Sequence, residues 1–421
     1  MNNNEMNYKI INGDSAIILD TLPENFFDAC ITDPPYELGY MGKKWDSTGI
    51  AFNPEFWKKL YRVLKPGAYF LAFGGSRTFH RIAVAIEDAG FEIRDTIMWL
   101  YKTGFPKSMD IGKSVESKLT NGSANTQAFK NLNGTKIESG NWGMSKLAYD
   151  QNSRPFDYSA DKHLRTLSVD YQTEEAKKWD GYGTALKPAF EPVIIARKPP
   201  ENSTTDNVIK WGVGAININE CRVNLQENET KTTNVGYTDS KQSENWGTNR
   251  CITEETNIGR FPANVIFTNV NDDEVTRYFY CAKTSKKDRD EGLFDYDEEM
   301  ITDGCVRNNQ KTAGSFGANF SPKKNTHPTV KPTELMQYLI RLVCPPNSHI
   351  IDPFNGSGST GKAAAFENRE RNMNYSYTGI ELDMKFCKIS ESRIDYALNQ
   401  YEYDEKEERK KTGQMSLFDD F

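Results

Sequence analysis

No run of apolar residues in this chain approaches the roughly 20 that a membrane-spanning helix needs. The first ten residues, MNNNEMNYKI, carry no apolar core of the kind a secretory signal has. Both absences lead us to expect a cytoplasmic protein. Histidine is scarce, four in 421 residues, and the seven cysteines (Cys30, Cys221, Cys251, Cys281, Cys305, Cys344 and Cys387) include no C-x-x-C pair. An odd, scattered set with no histidine cluster argues against a disulfide framework and against a zinc site. Positive charge is also short, with 52 Lys and Arg against 59 Asp and Glu for a net charge of -7. Phosphate contacts supply most nonspecific DNA affinity, so any basic surface must be local and nonspecific binding weak. Acidic residues gather between Asp288 and Glu299 and towards the C-terminus.

What is present is enough chain for a full core and, at about 150 residues each, for two or three domains. From Tyr8 the pattern alternates. Tyr8–Asn12 reads as a strand, Ser15–Thr21 as an amphipathic helix and Phe27–Thr32 as an apolar strand. Helix Phe56–Leu64, strand Ala68–Phe73, helix Arg81–Ala89 and strand Phe91–Tyr101 follow. That alternation predicts a doubly wound parallel sheet with helices on both faces. Asn121 to Tyr171 is rich in Asn, Gly, Ser and Thr and reads as an insertion or long functional loop. Pro192–Arg197 reads as a strand returning to the sheet. Asn202 to Lys324 is again irregular, with short strand-like pieces at Ala215–Asn219 and Ala263–Phe267. Regular pattern resumes with helix Thr333–Val343, strand Ser348–Ile351, helix Thr360–Glu367, strand Tyr375–Ile380 and a last helix from about Met384 to Leu398.

Two strand ends carry chemistry. Asp33, Pro34, Pro35 and Tyr36 follow the second strand, and Asp352, Pro353, Phe354, Asn355, Gly356, Ser357 and Gly358 join a strand to a helix. Ligands of open α/β sheets bind outside the carboxyl ends of the strands, where glycines let backbone amides come close. Glu381 ends the next strand, where a carboxylate can accept both hydroxyl protons of a ribose. A nucleoside cofactor suits the pair of strand ends. The amine of adenine or cytosine is a poor nucleophile because its lone pair is delocalised into the ring. Acceptors on both its hydrogens, the Asp33 carboxylate and the Pro34 carbonyl, would pull the nitrogen towards tetrahedral geometry, with the Tyr36 ring stacked on the base. Taken singly, the first motif is also a rigid turn and the second a ligand-free one. Gly356 to Lys362 further matches the core of a phosphate-binding P-loop, although Ala363 stands where a magnesium-ligating Ser or Thr belongs. Cys344, followed by two prolines, reads as structural.

Together these residues resemble the amino-methylating DNA methyltransferases of the permuted β class, in which DPPY precedes the variable region and DPFxGSG comes last. The resemblance covers about residues 8 to 395. It implies S-adenosylmethionine as methyl donor, a Rossmann-like seven-stranded sheet with one antiparallel strand, and a target base flipped out of duplex DNA. It implies cofactor-binding roles for Asp14, near the adenine, for Thr329 and Lys331 of the HPTVKP element, near the methionine moiety, and for Asp352, Phe354, Gly356, Ser357, Gly358 and Glu381. Asp33, Pro34, Pro35 and Tyr36 are the implied catalytic set, and an initial Asp is typical of adenine-N6 enzymes. Cytosine-N4 methylation is the alternative, with a P-loop ATPase or a DNA-binding protein with an inactive cofactor site as remote ones. The implied organisation is a catalytic half over residues 1–104, an insertion over 105–185, a returning strand at 186–200, a target-recognition region over 201–325, a cofactor half over 326–398 and a charged tail from 399 to 421. In that tail Gln414, Met415, Ser416, Leu417 and Phe418 resemble the pentapeptide with which bacterial replication proteins hold the sliding clamp.

Overall fold

A computed structural model describes residues 6–39, 44–101, 108–122, 124, 171–225, 231–237, 251–256, 258–267, 279–281, 283–301 and 321–412. The clamp-like peptide at 414–418 lies outside them. The chain divides into two compact units, one of residues 1–102, 190–299 and 322–421, the other of residues 103–189 and 300–321.

Among its described residues the larger unit holds one sheet of nine strands: β1 (Tyr8–Asn12), β2 (Phe27–Thr32), β3 (Leu64–Phe73), β4 (Glu92–Leu100), β5 (Phe190–Arg197), β6 (Val265–Phe267), β7 (Phe279–Tyr280), β8 (His349–Asp352) and β9 (Ser376–Glu381). Their order in the sheet is β1-β9-β8-β2-β3-β5-β4-β6-β7. Among the described strands of the sheet, β5 alone runs against its neighbours, β3 and β4. The expected seven strands with one antiparallel member are there, and β6 and β7 extend them by two short strands.

Alternate residues of these strands enter different cores, which is why the strands read as unbroken apolar runs. Ala29, Ile31, Leu71, Phe73 and Ile350 pack on one face with α6 (Thr333–Val343), α7 (Ser359–Arg371) and α8 (Met384–Thr412). Cys30, Phe70, Ala72 and Ile351 pack on the other with α1 (Ser15–Thr21), α2 (Pro54–Val63) and α3 (Phe79–Asp88). Helix starts follow local chemistry. Asn53 caps α2 by accepting from the Glu55 amide at 3.0 Å, with Pro54 next in line. Register then aligns the carboxyl ends: Asn12 pairs with Glu381, Asp352 with Gly379, and Thr32 with Ala72. β8 and β2, brought side by side from opposite ends of the chain, pair at Ile351 and Cys30.

The smaller unit holds α4 (Ile111–Asn121), capped by Asp110, and a short helical turn at Glu174–Lys178. Buried Glu116 ties them together, accepting from the Thr173 hydroxyl at 2.6 Å and from the Gln172 amide at 3.0 Å.

Three expectations about secondary structure need correcting. Ala215–Asn219 forms no strand; its backbone is held instead by the Asn217 amide donating to Leu342 O on α6. The supposedly irregular stretch after Asn202 opens with α5 (Thr204–Trp211), started by a capping box between Ser203 and Asp206 and ended by Gly212 in left-handed conformation. Finally, β3 begins at Leu64 rather than Ala68. The Lys65-Pro66-Gly67 turn signal is absorbed as an irregularity in its pairing with β2, and Asn207 donates to Pro66 O at 2.9 Å from α5.

Candidate active site

The aligned strand ends open into a cavity of about 500 Å³. Asp14, Asp33, Pro34, Pro35, Tyr36, Thr329, Lys331, Asp352, Phe354, Gly356, Ser357 and Glu381 all line it. Gly358 does not. It caps α7 in left-handed conformation, and a Cβ there would collide with Ser390 of α8. Its work is to let the turn pack on that helix.

On one side the glycine turn is tied to the two strands flanking it. Asp352 Oδ1 accepts from the Thr32 hydroxyl at 2.6 Å and the Phe354 amide at 3.0 Å, while Oδ2 accepts from the Thr360 hydroxyl at 2.8 Å. Burial outweighs those bonds and raises its carboxyl to about 6. Gly356, at φ +54°, aims its amide at Glu381 Oε2, 2.8 Å away. Glu381 Oε1 takes the Asp383 amide at 2.9 Å. Burial lifts this carboxyl to about 6 against the pull of both amides. Asn12 ends β1 by donating to Glu381 O at 3.0 Å, and Asp14 caps α1 by accepting from the Ala16 amide at 2.8 Å. Phe354 packs its ring 5.1 Å from that of Phe56 on α2.

His327 sits against the same turn: a Cβ on Gly356 would lie 2.9 Å from His327 Nε2. The Thr329 amide donates to its Nδ1 at 3.4 Å, and its ring meets Phe386 edge-on at 4.7 Å. Burial, then the cations Arg289, Lys331 and Arg393, push the imidazole down to about 3, so it stays neutral. Its part is packing. Behind the turn, buried Arg393 donates to Ser357 O at 2.6 Å.

The opposite side holds DPPY. The Lys331 ammonium donates to Asp33 Oδ2 at 2.5 Å and to the Tyr36 hydroxyl at 3.2 Å, and lies 4.8 Å from the centre of the Phe73 ring. The family likeness implies a place for Lys331 near the cofactor's methionine moiety; its hydrogen-bond partner in the structure is the Asp33 carboxylate. The other oxygen, Asp33 Oδ1, is buried with no hydrogen-bond partner among the described residues. Burial raises the Asp33 carboxyl, Lys331 opposes the rise and Glu191 adds to it. Lys331 remains an ammonium, because Asp33 and Glu191 together overcome the penalty of burying it. Glu191 accepts from the Tyr36 hydroxyl at 3.2 Å. Glu191 lies just before the Pro192–Arg197 run that the sequence marks as a strand, and the reversed direction of β5 (Phe190–Arg197) brings it to this edge.

The P-loop reading fails on the same geometry. Lys362, which would reach a phosphate, is fully buried and paired with Asp288 at 2.8 Å and Glu291 at 2.9 Å.

A family profile described as DNA methylase matches residues 27–392. The type II methyltransferase M.HpaI of Haemophilus parainfluenzae is 32% identical over 112 residues, 24% of this chain and 35% of that protein. DNA adenine methyltransferase YhdJ of Escherichia coli (strain K12) is 34% identical over 92 residues, 21% of this chain and 29% of that one. The chain thus spans about a third of the length of these curated relatives. Among solved structures, a complex of M1.HpyAVI with SAM aligns over 92% of this chain and 99% of its own, at 16% identity and a TM-score of 0.36.

Proposed function

This chain belongs to the DNA methylase family, the S-adenosylmethionine-dependent DNA amino-methyltransferases, and from that premise we propose that it methylates the N6 amine of adenine in duplex DNA by direct displacement on a flipped base. The observation that carries the reading is Asp33 Oδ1. A buried acceptor left unpaired costs about 1–3 kcal/mol, and such a group is kept where a ligand satisfies it. An exocyclic amine brings the missing donor.

The cavity suits the cofactor, being within the roughly 300–1,000 Å³ typical of such sites. In this reading Glu381 accepts ribose hydroxyls, the turn at Gly356 lets backbone come close to the ligand, and Phe354 and Asp14 give an apolar wall and a polar end to the same cavity. When bound, S-adenosylmethionine supplies a methyl carbon made electrophilic by a sulfonium. The rest is done by protein groups. Asp33 Oδ1 and the Pro34 carbonyl take the two amine hydrogens and localise the nitrogen lone pair. Tyr36 offers its ring to the base. As the nitrogen is methylated it sheds a proton, which the Asp33 carboxylate, its affinity for protons raised by burial, accepts. Positioning supplies much of the rate, and no covalent enzyme intermediate is needed.

Adenine is favoured over cytosine by the initial Asp of DPPY and by the adenine enzyme among the relatives. Incubation with labelled S-adenosylmethionine and unmodified DNA, followed by digestion to nucleosides, tests it. The expected label is on N6-methyladenine and is lost in Asp33→Ala; label on cytosine, or none on DNA, sinks the proposal. We further propose that residues 414–418 dock on the bacterial sliding clamp. Calorimetry of the full chain with purified clamp is expected to show binding that Leu417→Ala with Phe418→Ala removes; no heat from the unaltered chain ends that idea.

A further inference from the structure

Glu191 lies in neither motif, and the chemistry above makes no use of it. We infer that Glu191 is a positioning residue for the transfer: it holds the Tyr36 phenol and takes a share of the Lys331 ammonium, so that Asp33 keeps a strong open acceptor for the target amine. This rests on methyl transfer being the reaction at the site.

Topology puts the residue there. β5 is antiparallel within an otherwise parallel sheet, so its beginning lies at the ligand edge where the other strands end. Glu191 pairs with Trp99 near the end of β4, and Val193 pairs with Phe73 at the end of β3. From this position Glu191 Oε2 accepts from the Tyr36 hydroxyl at 3.2 Å and stands 3.6 Å from Lys331 Nζ. Its other oxygen is 4.0 Å from Lys283 Nζ, which lies 3.4 Å from the centre of the Tyr101 ring. Tyr36 is fixed from behind as well. The Thr78 hydroxyl donates to its carbonyl at 2.7 Å, and Gly75 leaves room for its ring, since a Cβ there would stand 3.2 Å from Tyr36 Cδ2.

The electrostatics follow from one ammonium facing two carboxylates. Paired with Lys331 alone, Asp33 would be neutralised by a private cation, and a neutralised carboxylate is a weaker acceptor for an amine. Dividing that cation leaves Asp33 more electron-rich. The groups facing Asp33 are Lys331 from the segment before α6, Tyr36 from its own loop, Glu191 from β5 and Asp352 from β8. Of these, Glu191 touches both the Tyr36 hydroxyl and the Lys331 ammonium. Its substitution should therefore alter chemistry more than cofactor binding.

Glu191→Gln in the full chain keeps the shape and removes the charge. We expect an unchanged KM for S-adenosylmethionine and a kcat lowered roughly 10- to 100-fold. Removing a like charge eases ionisation of Asp33, so the acid limb of kcat/KM should move about one pH unit lower. Loss of fold alone would not move that limb. Glu191→Asp keeps the charge on a shorter stem, so the limb should stay in place while kcat falls. If the Gln variant does not fold, Glu191→Asp decides, and a wild-type kcat from it overturns the inference. Wild-type transfer to DNA together with a Gln variant of unchanged kcat and unmoved limb also overturns it. A wild-type chain that transfers no methyl group to DNA defeats the functional reading and this inference with it.

Discussion

Two carboxylates at one sheet edge are held in opposite ways. Both Glu381 oxygens take backbone amides, whereas one Asp33 oxygen takes an ammonium and the other has no hydrogen-bond partner among the described residues. The first pattern holds a shape for a ligand, and the second leaves a bond to be made. A pH effect follows for Glu381. Its carboxyl is raised to about 6, so it is ionised above that pH and protonated below it. A protonated carboxyl is a weaker acceptor for ribose hydroxyls than a carboxylate, so affinity for S-adenosylmethionine should be level above pH 6 and weaken as pH falls through it. Calorimetry at pH 5, 6 and 7.5 would show this, and a Kd constant over that range would contradict the role given to Glu381. At this scale DPPY and the glycine turn were legible because each is local. Glu191 and the Thr32 and Thr360 hydroxyls on Asp352 were not, because each depends on which strands are neighbours.

The element that most needs explaining is the segment from Ser285 to Glu291, set in a region that reads as irregular. Asp288 within it accepts from the Thr333 amide at 3.0 Å, which starts α6, and from Lys362 of α7 at 2.8 Å, while its carbonyl takes Arg393 of α8 at 3.2 Å. One acidic residue thus gathers the helices α6, α7 and α8. Removing one partner of a buried ion cluster leaves charge uncompensated, so Asp288→Ala should cost about 3–5 kcal/mol in urea unfolding. A cost below 1 kcal/mol would mean the cluster is ornamental. Burial works against ionised Asp288, but Lys362 and Thr333 outweigh it and hold the carboxyl below its usual range. Its contribution is therefore present above about pH 4 and lost as pH falls below it. A simpler case is α5, where Ser203→Ala should cost about 1 kcal/mol through the lost cap. That helix was readable from Ser203 and Asp206, three apart, had the polar composition around it not masked the signal. The Asp288 cluster had no such sign, since its members lie far apart in the chain.

Across the whole molecule, the order of motifs is what the fold explains. Strand β2, which leads into DPPY, comes early and strand β8, which leads into the glycine turn, comes late, yet they pair side by side. Alternation of apolar strands and helices was enough to foresee the sheet. The strand-like piece at Ala263–Phe267 marks β6 (Val265–Phe267), but β7, two residues long, is too short to carry a period of its own. Because the pocket is built from both ends of the chain, filling it should stabilise the whole larger unit. At 100 times its Kd, S-adenosylmethionine should add about 2.7 kcal/mol to unfolding; no change in the thermal midpoint would argue against a single shared pocket. The central claim is that the cofactor side and the amine side of this cavity are separable, with Asp33 serving only the second. Asp33→Asn, measured by calorimetry for S-adenosylmethionine and by single-turnover transfer to DNA, tests it most directly. The account predicts a nearly unchanged Kd with transfer slowed on the order of 100-fold or more; transfer at the wild-type rate, or loss of cofactor binding in a folded variant, would contradict it.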